Sequence, residues 1–60
     1  MNREILPTQI WQYNFTDEMY KVSSTTPEKV ELYLFENPWV DKIVSKEELH
    51  KNYTFIDELI

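Results

Sequence analysis

The chain has a single imidazole, His50, and no thiol, so its means for acid–base and nucleophilic chemistry are narrow. A catalytic histidine needs an orienting partner and a nucleophile within hydrogen-bond reach. Glu47 precedes His50 by three residues and can approach it along a helix. No cysteine is present and no serine stands in a strained-turn motif, so nothing supplies the attacking atom. His50 therefore reads as a solvated surface residue. Carboxylates are the other candidates. Glu31 and Asp41 fall on expected neighbouring strands, whereas Glu47 and Glu48 diverge around a helix. Paired carboxylates can hold a divalent ion or do acid–base work, but a domain this small offers little concavity to desolvate them. The absence of glycine removes phosphate-cradling loops, and the absence of cysteine removes thiolate zinc sites. The expectation is a protein that is not an enzyme and holds no cofactor or metal.

Composition narrows the class further. Sixty residues allow one domain, and the expectation is a single unit over 1–60. A chain of this length buries only about 60% of the surface that it exposes when unfolded, so its core is marginal. Disulfides cannot reinforce it. Nine aromatics, two Trp, four Tyr and three Phe, must supply most of the core, and homo-oligomerisation is the other usual remedy. The net charge of -5 argues against direct nucleic-acid binding, which needs Lys/Arg clusters, and suits docking on a basic partner. No apolar run approaches the ~18 residues of a membrane span. Met1 to Glu4 lack the apolar stretch of a signal peptide, which fits a cytoplasmic protein.

These side chains must be positioned by strands and one short helix. Residues 1–7 read as a polar lead-in ending at Pro7, of uncertain order. Residues 8–15 alternate, with Trp11, Tyr13 and Phe15 on one face and Ile10, Gln12 and Asn14 on the other. A turn at 16–18 leads to a strand over 19–24. Thr25-Thr26-Pro27-Glu28 is the clearest turn, because proline presets the first central φ. Residues 29–36 form the strongest strand, with Val30, Leu32 and Leu34 opposite Glu31, Tyr33 and Phe35. A helix over 28–36 is the less favoured reading. Asn37-Pro38 should break the strand, and 39–44 should form a fourth. Ser45-Lys46-Glu47-Glu48 is a capping box, predicting a helix of one to two turns with Leu49 inward. Residues 53–56 return as a fifth strand, and 57–60 read as a tail of uncertain order. With no glycine, the hairpins should use type I turns with three to five loop residues. The order predicts a mainly β fold, a small SH3-like five-stranded barrel with one helical turn before the last strand. The alternative is an open antiparallel sheet with one helix across it.

Both stripes of a two-faced sheet this small cannot be fully buried. Either barrel closure or the C-terminal segment covers the second stripe, or some of Trp11, Tyr13, Tyr33, Phe35 and Trp39 form an exposed patch. Tyr and Trp are enriched at binding hot spots, and an exposed apolar patch marks a binding site. The acids read either as a solvated exterior or as a negative patch that mimics nucleic acid. The segment Val44-Ser45-Lys46-Glu47-Glu48-Leu49-His50-Lys51-Asn52-Tyr53, in an acidic chain without cysteine, resembles the small accessory proteins that bacteriophages encode. That resemblance implies a non-enzymatic protein that binds and inhibits or redirects a host protein, including defence proteins. The leading expectation is a small acidic binding module whose contact residues are Trp11, Glu31, Tyr33, Trp39 and Asp41. The rivals are a nucleic-acid mimic that blocks a DNA- or RNA-binding protein, an oligomeric small-ligand sponge, and a structural adaptor.

Overall fold

A computed structural model describes residues 4–58. Five antiparallel strands and one helix follow in order: β1 (Gln9–Tyr13), β2 (Met19–Thr25), β3 (Lys29–Leu34), β4 (Asn37–Ser45), α1 (Lys46–Asn52) and β5 (Tyr53–Glu58). The strands form one sheet in the order β4-β3-β2-β1-β5. The two edge strands are not paired, so the sheet is open. The expected closed barrel is thereby corrected to the alternative, an open sheet with one short helix before the last strand. The sheet is nonetheless curled. The Lys42 ammonium on β4 reaches within 5.4 Å of the centroid of the Tyr53 ring on β5, at the opposite edge.

Alternation assigns the faces. Trp11, Tyr20, Val22, Val30, Leu32, Val44 and Tyr53 turn to one side and form the core, with Ile5 and Leu49 packed onto them. Leu49 is fully buried because α1 presents it to the sheet. The helix starts where the capping box requires: the Ser45 hydroxyl accepts the Glu48 N–H at 3.0 Å. The Lys46 N–H then donates to the Glu28 carbonyl at 3.0 Å, tying this end of α1 to the β2–β3 turn. The other end is held by the Asn14 N–H, which donates to the Asn52 carbonyl at 2.9 Å.

Three expectations about the ends and turns change. The lead-in is not loose over its described part, because Gln9, 1% exposed, ties it down. The Gln9 Oε1 accepts the Trp11 indole N–H at 3.0 Å and the Leu6 N–H at 3.1 Å, and its Nε2 donates to the Glu4 carbonyl at 2.9 Å. These bonds seat Ile5 in the core. Residues 1–3 lie outside the described residues. The expected tail from residue 57 is instead strand: Asp57 and Glu58 pair with Ile10 and Gln9. Residues 59–60 lie outside the described residues.

The third change concerns Asn37-Pro38, which does not break the chain. The β3–β4 turn is Phe35-Glu36, and Asn37 and Pro38 open β4. Proline lacks an N–H, which an edge strand can do without on its solvent side. The missing glycines also show at two positions. Asp17 (φ 64°) takes the left-handed position of the β1–β2 turn, which Asp tolerates better than most residues. Thr8 (φ 78°) sits there as a β-branched residue, a strained conformation held where its N–H meets the Val22 carbonyl at 3.3 Å.

Candidate functional site

The exposed apolar side chains concentrate on β4 and the turn that precedes it. Tyr33 pairs with Asp41, but Leu34 pairs with Asn37, so Pro38, Trp39 and Val40 have no opposite residues on β3. This bulge pushes Trp39 out of the ladder and leaves it 82% exposed. Val40, Ile43 and Phe35 are exposed as well.

The outer face of β3 and β4 carries the charges beside these groups. Glu31 lies opposite Ile43, and Tyr33 lies opposite Asp41, so all four project from one face. Glu31 and Asp41 are exposed, and Tyr33 is half-buried. Lys21 pairs with Tyr33 on the β2 side and Ile10 with Lys21 beyond it. The row therefore runs Asp41, Tyr33, Lys21, Ile10 across four strands. The Ser23 hydroxyl lies 3.5 Å from the Glu31 carboxylate.

Four of the five expected contact residues, Glu31, Tyr33, Trp39 and Asp41, thus gather on β3 and β4. Trp11 does not join them. It is 3% exposed on an interior strand, with its ring edge-on to Phe55 at 5.7 Å. Its assignment to the contact surface is corrected: the indole N–H bond to Gln9 and the packing make it core. Phe15, expected on the Trp11 face, projects from the β1–β2 turn at 72% exposure, with its ring against Tyr13. His50 is also not simply solvated. It is half-buried, its ring centroid 5.6 Å from that of Trp11.

Sequence reasoning missed Val40 and Ile43, since nothing in their type distinguishes a core strand residue from one on an exposed edge. It also missed the polar chemistry of the inner face. Tyr53 is 3% exposed and its hydroxyl has no hydrogen-bond partner. Burial first, and then the nearby Glu48, Tyr13 and Glu18, push this phenol up to about 12. Burial also raises Tyr20, an effect opposed by Lys42 and reinforced by Glu18, which accepts the Tyr20 O–H at 3.2 Å.

Among the described residues, no cluster of His, Cys, Asp and Glu is arranged to hold a metal ion. Nor is any helix among them long and apolar enough to cross a membrane. No family model matches the chain, and comparison with curated proteins and with solved structures finds no match.

Proposed function

We propose that this chain is a small acidic binding module that occupies the surface of a larger protein and so inhibits or redirects it. The observation that carries the reading is Trp39, displayed by a bulge at 82% exposure with Val40 and Ile43 exposed on the same strand. A marginal 60-residue fold gains nothing in stability from a large ring held in water. Burial against a partner would recover that contribution, and Trp is a frequent hot-spot residue. Glu31, Tyr33 and Asp41 flank the patch, so the partner surface is apolar with Lys/Arg around it. The net charge of -5 favours encounter with such a surface.

The contact is made by side chains rather than by strand addition. Pro38, the bulge and the inward-pointing Lys42 are devices that protect a sheet edge from pairing. The strand order, with the helix between β4 and β5, supports an SH3-like assignment for the architecture. The resemblance to phage accessory proteins supports action in the cytoplasm of a host cell, on a nucleic-acid-binding or defence protein.

The test is capture from a nuclease-treated bacterial lysate with the wild type and Trp39→Ala side by side. A protein held by the wild type through high salt and released by the variant supports the reading. A loss of about 30-fold in affinity is expected for a hot spot of about 2 kcal/mol. A partner retained equally by both sinks it. A DNA- or RNA-binding partner displaced by nucleic acid and by salt points instead to mimicry.

A further inference from the structure

Lys42 is the β4 residue whose placement the exposed patch does not explain. Asp41 and Ile43 face outward, so alternation turns Lys42 to the inner face. Its Nζ lies 4.8 Å from the centroid of Tyr13, 4.6 Å from Tyr20 and 5.4 Å from Tyr53. An ammonium within about 6 Å of a ring centroid is attracted by the ring quadrupole. Here three rings, from β1, β2 and β5, surround one cation.

The rings also hold one another. Tyr13 and Tyr53 are 4.8 Å apart and inclined by 47°, and Tyr20 and Tyr53 are 5.9 Å apart at 74°. Mutually inclined rings make the walls of a cup and not a stack. The Tyr20 hydroxyl donates to Glu18, which places negative charge at the rim. Tyr20 and Tyr53 are buried parts of the core, so the cup is anchored in the fold. Lys42 is half-buried and belongs to an edge strand with one neighbouring strand, so its own anchorage is weaker.

We propose that Tyr13, Tyr20 and Tyr53 form a recognition site for a methylated ammonium group, filled in this conformation by the chain's own Lys42. The site lies on the inner face of the sheet, opposite to the outer face that carries Tyr33 and Asp41. A primary ammonium is compact and strongly hydrated, whereas a quaternary one leaves water more readily and suits an aromatic cup. The tethered Lys42 competes at a high effective concentration, so the wild type binds the ligand more weakly than a chain whose cup is vacant.

The probe is tetramethylammonium chloride, followed by proton NMR against sodium chloride of equal ionic strength and against uncharged tert-butyl alcohol. In Lys42→Ala the ring resonances of Tyr13, Tyr20 and Tyr53 should shift, with a midpoint at least tenfold lower than in the wild type. Tyr13→Leu in that background should abolish the response, since Tyr13 is the least buried wall. A folded Lys42→Ala whose rings ignore the probe, or respond equally to tert-butyl alcohol, overturns the proposal. Should Lys42→Ala fail to fold, the wild type decides. Its Lys42 ε-methylene protons, shielded by the rings, should move towards free-lysine values as the probe is added, and protons that stay in place overturn the proposal. A peptide carrying trimethyllysine that binds tenfold more tightly than tetramethylammonium identifies a modified protein as the source, and equal binding identifies a free cation.

Discussion

The two tryptophans of this chain have opposite fates. Trp11 is 3% exposed on β1, an interior strand, and its N–H is satisfied by the side chain of Gln9. Trp39 is 82% exposed on β4, an edge strand, at a bulge with no opposite residues. The residue type is the same and both lie in strands. What differs is the number of neighbouring strands and the register. An interior strand offers a large ring neighbours on both sides, and the concave face is closed over it by α1. An edge strand offers neighbours on one side only, and a bulge removes even those. Large aromatic area is therefore buried in the core at one position and left in solvent at the other.

The largest effect is expected when Trp11 is removed. Trp11→Ala should destabilise by about 3–5 kcal/mol, which is most of the stability expected of a 60-residue domain. Loss of the cooperative unfolding transition in urea is the outcome to look for, and a chain that unfolds as the wild type does would place Trp11 outside the core. Next comes its hydrogen-bond partner. Gln9→Leu keeps the volume but leaves the Trp11 and Leu6 N–H groups unpaired, at a cost of about 1–3 kcal/mol for each donor left buried. A urea midpoint unchanged from the wild type would show that the lead-in carries no weight.

Tyr53, on the inner face, gives a pH-dependent effect. Its phenol is raised to about 12, so the folded state holds this proton more tightly than the unfolded chain does. The contribution is fully present below the ordinary tyrosine value of about 10 and is lost as pH rises from there to about 12. Tyr53→Phe removes the unpartnered hydroxyl and should leave stability at pH 7 unchanged or raised by up to about 1 kcal/mol. It should also flatten that alkaline fall, read from the melting temperature at a series of pH values. Smallest of all is the effect of Trp39→Ala on folding, expected within about 0.5 kcal/mol. A large loss of stability there would mean that the indole packs on the domain, and the docking surface would have to be sought elsewhere.

Much of the strand plan was legible from local pattern. The alternation of Val30, Leu32 and Leu34 against Glu31 and Tyr33 assigned the faces of β3 as observed, and Ser45 to Glu48 located the start of α1. These signals are local: a strand repeats every two residues, and a capping serine needs only the N–H three residues on. The misreadings have a different origin. Asn37-Pro38 reads as a break because proline interrupts a ladder, yet it is accommodated where the strand has a partner on one side only. Trp11 joined the expected contact residues because its exposure depends on α1 and on Gln9, neither visible in the spacing of β1. Lys42 gave no sign that it would point inward among three tyrosines.

The element types, their order, the net charge of -5 and the lack of cysteine and glycine follow from composition and short-range geometry, and are read directly from the chain. Tertiary structure alone decided which strand lies at the edge and that the sheet curls without closing. It also decided that Trp39 stands in solvent while Trp11 is covered, and that Lys42 meets rings from three strands. Each of those outcomes depends on residues far apart in the chain, which only the pairing order and register bring together.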